Sequence, residues 1–239
     1  MTICAEYITK FAALHSAFSL PELMKAASDN GFTPTTVNWT IREMARDGRL
    51  SRIGRGIYTA KGNQEFEYGV DDALKKLSST ISEEYPSIGK CLYKGDIIAP
   101  LLHHLSHNAL TYIEVERPLT EILFHRMKDE GHRVYLKPTW ELLQDYADLS
   151  SEGIIIKPLV SGSPLSTMDG VPVPTLEKMI VDTICDEDFS YLRGGEWEYM
   201  LENAFGTFSV NISRLLRYAG RRGKEEEISE AIKKYRYDK

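Results

Sequence analysis

The stretch from Ser19 to Ala60 constrains this chain most, because several local signals fall there in a fixed order. Ser19-Leu20-Pro21-Glu22 has the capping-box pattern with proline in the first turn, which opens a short helix through about Ser28. Asn30-Gly31 ends it, since both residues tolerate a left-handed backbone. Thr33-Pro34 opens another helix, with Thr33 as N-cap and Pro34 as its first residue. Val37, Ile41, Met44 and Ala45 form the buried face of that helix, and Asp47-Gly48 closes it. Leu50–Ile53, a Gly54-Arg55-Gly56 turn and Ile57–Ala60 read as a hairpin. Upstream, Tyr7, Phe11, Leu14 and Phe18 recur with a helical period across residues 2–17. Helix, short helix, turn, helix and basic hairpin is the order of a winged helix-turn-helix.

The helix opened by Thr33 carries the chemistry. At about 100° per residue, the face opposite its apolar stripe holds Thr35, Trp39, Arg42 and Arg46, with Thr36 beside it. Such a face suits the major groove, where arginine reads guanine or clamps phosphate. Thr35 and Thr36 lie at the helix N-terminus, where backbone N–H groups favour an anion. Arg52 and Arg55 sit at the hairpin, within reach of the flanking DNA backbone or minor groove. Trp39 can also pack on the first helix or a neighbouring chain.

Charge separates the chain into parts. Residues 1–62 hold eight basic and five acidic side chains, a net +3; the remainder holds 21 and 30, a net −9. A positive module meets phosphates, whereas an acidic body repels them. The 239 residues suffice for one large or two smaller domains. No apolar run reaches the roughly 20 residues of a membrane span, and Met1–Glu6 lacks the features of a signal peptide. Cys4, Cys91 and Cys185 are odd in number and widely spaced, so buried thiols in a reducing cytoplasm are expected.

Beyond residue 62 the pattern changes. Residues 63–86 read as a linker with a helix over 70–81. Strand and helix signals then alternate: strands at 88–93, 111–116, 133–136 and 153–160, helices at 96–105, 119–130 and 139–147. After Pro174 the chain turns helical. The expected fold is α+β or mixed: a winged helix over 1–62, the linker helix, and an α/β domain over 87–239 ending in helices.

Signature motifs for nucleotide binding and serine hydrolysis are missing. His103 and His107 share a helical face with His104 beside them, but the glutamate of a zinc protease is not there, and no metal or other cofactor is expected. Glu114 and Glu116 lie two apart on a strand, hence on one face, with Lys137 or Lys157 as conceivable lysine partners for a metal-dependent nuclease. A solvated or ion-paired strand face is the plainer expectation. Glu177, Lys178, Asp182 and Asp186–Asp188 read as surface or domain-packing charges. Arg214, Arg217 and Arg221 form a basic helical stripe, with Arg222 beside it, facing nucleic acid, an acidic partner or acidic segments of the same chain.

Four segments together carry a family resemblance: Gly48–Tyr58 (GRLSRIGRGIY), Tyr112–Glu116 (YIEVE), Pro174–Asp182 (PTLEKMIVD) and Arg217–Arg222 (RYAGRR). In this order they resemble the AbiEi-like antitoxins of type IV toxin–antitoxin and abortive-infection systems. The resemblance implies a cytoplasmic, non-enzymatic phage-defence protein that represses its own promoter through the winged helix. It implies that the C-terminal domain opposes a nucleotidyltransferase-like toxin of the AbiEii type, with direct contact not required. Arg52 and Arg55 carry over as DNA contacts. The expected partners are double-stranded promoter DNA, that toxin and a second copy in a homodimer, with no membrane. The competing expectation is a winged-helix-guided nuclease or nucleotidyltransferase built on Glu114 and Glu116.

Overall fold

A computed structural model describes residues 2–15, 17–47, 49–60, 64–103, 108–139, 141–143, 151–192 and 194–237. The protein is α+β. Its contacts divide it into two compact units, Met1–Phe66 with Leu201–Lys239, and Glu67–Met200.

The first unit opens with α1 (Ile3–Leu14), β1 (Phe18–Ser19), α2 (Leu20–Asp29) and α3 (Pro34–Arg46), followed by the hairpin β2 (Ser51–Gly54) and β3 (Ile57–Thr59). Local chemistry sets these boundaries. Ser19 and Glu22 close a reciprocal capping box before α2. Thr33 Oγ1 accepts from the Thr36 N–H before α3. Gly31 and Gly56 take positive φ values of 80° and 72°. The strands are antiparallel in the order β1-β3-β2, with Phe18 opposite Tyr58. This helix–strand–helix–helix–hairpin arrangement is that of a winged helix-turn-helix.

The buried face of α1 is Cys4, Ala5, Ile8 and Ala12, not the expected Tyr7, Phe11 and Leu14. Small residues let α1 approach α3 closely, while Tyr7 and Phe11 flank the core and Leu14 is exposed. Phe18 is buried, but in β1.

The second unit contains α4 (Asp72–Glu84), β4 (Lys90–Lys94), a 3₁₀ helix (Gly95–Leu101), β5 (Thr111–Val115), α5 (Arg117–Asp129), β6 (Val134–Leu136), β7 (Ile154–Pro158), the hairpin β8 (Leu165–Met168) and β9 (Val171–Pro174), α6 (Leu176–Cys185) and a second 3₁₀ helix (Glu187–Leu192). The sheet runs β4-β5-β7-β6, with β4 antiparallel to β5 and the other pairs parallel. Leu92, Ile113, Val115 and Ile156 face an apolar layer with Leu74 and Ile81 of α4 and Leu119 and Leu123 of α5. By strand alternation, Cys91, Tyr93, Tyr112, Glu114 and Lys157 take the opposite face.

Three helices complete the chain: α7 (Gly195–Thr207), α8 (Ile212–Arg221) and α9 (Glu225–Tyr237). The boundary between the units falls within α7. Here the fold departs from the expected domain limits. Helices α8 and α9 group with the winged helix rather than with the α/β part, and α8 packs along β2. Ser51 Oγ lies 3.2 Å from Ser209 Oγ, and Gln64 pairs with Phe208. The expected linker helix is α4, packed on β4 and β9 as part of the sheet unit. The segment expected as a helix from Asp96 is 3₁₀, with Pro100 inside it. The expected helix at 139–147 lies largely outside the described residues.

Gly95 makes room for Asn108, whose amide links the Tyr112 and Tyr191 hydroxyls and the Leu110 N–H. A Cβ at residue 95 would lie 2.2 Å from Asn108 Cγ, in the core. Gly95→Ala is therefore expected to lose about 1–3 kcal/mol in urea unfolding. An unchanged midpoint would show that the site relaxes freely.

Candidate nucleic-acid interface and a buried charge cluster

All seven residues expected to face DNA are exposed: Thr35, Thr36, Trp39, Arg42 and Arg46 on α3, and Arg52 and Arg55 on the hairpin. The opposite face of α3 buries Val37, Thr40, Ile41 and Met44 against α1 and α2, which fixes the rotation of the helix. Ala45, expected in that face, is half-buried. Trp39 is 57 % exposed, a large aromatic surface left outside the core.

The arginines differ in readiness. Arg46 pairs with Glu43 at 2.8 Å and lies 3.6 Å from Asp47. Arg52 Nε donates to the Gly54 carbonyl at 3.2 Å, which holds its side chain along the hairpin. Arg42 and Arg55 make no ion pair or side-chain hydrogen bond among the described residues. The Thr36 N–H is taken by Thr33, and the Thr36 hydroxyl shares a hydrogen bond with the Thr33 hydroxyl at 2.9 Å. At this helix start Thr36 therefore serves the cap first, and the exposed Thr35 is better placed to meet an anion.

Grouping by fold sharpens the charge asymmetry. The winged-helix unit holds 17 basic and 12 acidic residues, a net +5. The sheet unit holds 12 and 23, a net −11. Exposed arginines on the positive unit can neutralise phosphates; the sheet unit would oppose them.

The carboxylates considered for catalysis do not come together. Glu114 is buried in β5, whereas Glu116 lies beyond the strand, exposed, and accepts from the Gly89 N–H at 3.0 Å. The expectation of one shared face fails because the strand ends at Val115. Glu114 receives Lys178 Nζ at 2.7 Å and the Tyr93 hydroxyl at 3.0 Å. Lys178 also pairs with Asp182, one turn along α6. Lys157, opposite Glu114 in the parallel register, pairs with Asp186 at 2.7 Å and Asp188 at 3.0 Å. Lys137 is exposed with φ +44° and takes no part.

Aromatic rings line this region. Tyr93 stacks on Tyr112 at 4.8 Å, and Tyr112 on Phe189 at 5.4 Å. The Lys157 ammonium lies 5.1 Å and 5.2 Å from the rings of Tyr112 and Phe189. Lys178, Asp182 and Glu177 were expected at a surface or domain contact, yet they are buried. The available signal was the composition of α6, where apolar residues surround the charged ones on every side. His103 meets the Tyr199 ring edge-on at 5.0 Å; His104 and His107 lie outside the described residues. Among the described residues, no three His, Cys, Asp or Glu side chains are grouped to hold a metal, and no helix is long and apolar enough to cross a membrane.

An α+β protein with a winged helix-turn-helix in one unit and a charge cluster within the other is the class that these features define. The chain belongs to DUF6577, a family of unknown function, whose family model matches residues 36–238. The match begins in α3 and spans both units. No curated protein matches the chain.

Two outcomes follow for the charge cluster. Lys178→Met leaves Glu114 and Asp182 buried without their cation and is expected to cost about 3–5 kcal/mol, read by chemical denaturation. A variant that also carries Glu114→Leu and Asp182→Leu should recover much of that loss. Burial raises the carboxyls of Asp182 and Asp188 above the ordinary range, outweighing the nearby lysines, with Asp186 adding to the shift in both. Their contribution to stability is complete below the unfolded value of about pH 4 and is lost as pH rises through the raised folded values. Relative to an Asp182→Asn, Asp188→Asn variant, the native protein should therefore gain stability as pH falls toward 4. A stability difference that is flat with pH would contradict this.

Proposed function

We propose that this protein is a double-stranded-DNA-binding transcriptional regulator that represses its own promoter. The observation that carries this reading is the exposed row Thr35, Trp39, Arg42 and Arg46 on α3, beside the wing arginines Arg52 and Arg55. Arg42 has its guanidinium uncommitted among the described residues, which suits bidentate contact with a base edge. Arg52 and Arg55 suit the flanking phosphates, and Thr35 suits a phosphate at the helix start. Trp39 supplies apolar contact to a sugar or thymine methyl.

The resemblance to AbiEi-like antitoxins extends this reading. In it, the sheet unit opposes a nucleotidyltransferase-like toxin of the AbiEii type, with or without direct contact, in the cytoplasm. The charges of the sheet unit answer one another in the interior, which suits a scaffold better than a reactive centre.

The test is fluorescence anisotropy of the whole protein on its own upstream DNA and on scrambled DNA, across several salt concentrations. Native DNA should be preferred at physiological salt. Arg52→Ala with Arg55→Ala should weaken both duplexes alike and flatten the log–log salt slope by about 2. Arg42→Ala should lower the preference for native sequence by roughly 5- to 150-fold, the equivalent of about 1–3 kcal/mol for a lost base contact. An unchanged slope in the wing variant would remove the wing from the interface. Sequence-blind binding by the native protein would overturn the regulator.

A further inference from the structure

Helix α8 turns a buried face of Ile212, Leu215, Tyr218 and Ala219 into the winged-helix unit. Its other face exposes Arg214, Arg217 and Arg221. These residues stand at i, i+3 and i+7, so they form one row. Neighbouring groups hold the helix in place. The Asn211 side chain accepts from the Arg214 N–H at 3.0 Å, and Arg222 folds back on the Tyr218 hydroxyl at 3.4 Å. Strand β2 is the outer strand of the three-stranded sheet, and α8 packs along it. Arg52 is exposed on that same strand. The arginine row therefore stands on a helix that neighbours the strand carrying Arg52, within the positively charged unit.

The acidic start of α9 lies near the C-terminal end of the row. Glu225 of α9 approaches Gly220 so closely that a Cβ there would lie 2.8 Å from its carboxylate. Glu227 is engaged by Lys224 at 2.7 Å. The row from Arg214 to Arg221 spans about 10.5 Å along the helix, close to the axial rise of three nucleotides in one strand of B-DNA.

We propose that the arginine face of α8 is a second nucleic-acid contact, which grips duplex backbone beyond the segment met by α3 and the wing. The proposal rests on the DNA-binding reading of α3. It gives the C-terminal helices a role in DNA affinity and lengthens the footprint on one side. It predicts contact with phosphates rather than bases, because the row presents charge without the mixed hydrogen-bonding groups of α3.

The test compares the full chain with an Arg217→Ala, Arg221→Ala variant on the same native and scrambled duplexes. Both substitutions fall on exposed positions, and thermal melting checks that the fold is kept. The salt slope should flatten by about 2, so the variant should lose roughly tenfold less affinity than the native protein between 50 and 200 mM salt. The preference for native over scrambled DNA should stay the same. Lysine at both positions should restore most of the slope. An unchanged slope, with DNA binding by the native protein intact, would overturn the second contact while leaving α3 and the wing standing. This includes the case in which the stripe serves an acidic protein. A flattened slope that lysine does not restore would assign the effect to packing and overturn it too. Absence of salt-dependent binding by the native protein would overturn both readings.

Discussion

The ammonium of Lys178 lies wholly inside the sheet unit, and the packing around it is organised to answer that charge. An unpaired ion there would cost several kcal/mol, so partners must arrive with the right geometry. Glu114 comes from β5 and Asp182 from one turn further along α6. The Glu114 contact ties α6 to β5 directionally, while Asp182 completes the pairing from within the same helix. Lys157 does the same for the segment after α6 by gathering Asp186 and Asp188. Stacked Tyr93, Tyr112 and Phe189 exclude water and present ring faces toward the cations. The opposite face of the sheet is held by non-directional apolar burial with α4 and α5. One layer thus supplies burial, and the other supplies directional ion pairing.

The winged-helix unit solves a different problem. It keeps the arginines of α3 and the hairpin on the outside and buries an apolar core beneath them. Chain topology reinforces this by returning the C-terminal helices to the N-terminal module. The net charges of +5 and −11 follow from that return, and they are further apart than any single cut of the sequence at residue 62 suggests. A field of this kind acts over about a Debye length and governs which surfaces can approach a polyanion.

Much of the winged helix was legible because its instructions are local. The Ser19–Glu22 box, Thr33-Pro34 and the Gly54-Arg55-Gly56 turn each act within a few residues, and the elements appear where these signals place them. The exposed row on α3 was legible for the same reason, since helical period alone separates Arg42 from Ile41. The β8–β9 hairpin stands where no strand pair was expected, although Asp169-Gly170 is a local turn signal and both residues adopt the positive φ of a tight hairpin turn. On α1 the period identified the helix but not its buried face, because Cys4, Ala5 and Ala12 win contact by being small.

The sequence by itself determined the helix caps, the turns, the winged-helix order and the outward arginines, because these depend on neighbours along the chain. Tertiary structure alone decided that Lys178 meets Glu114 across 64 residues, that Glu114 and Glu116 part company, and that α8 joins the wing. Those outcomes depend on which surfaces are brought together. A charge reads as solvent-facing in sequence until a distant partner of opposite sign is packed against it in a medium that water does not enter.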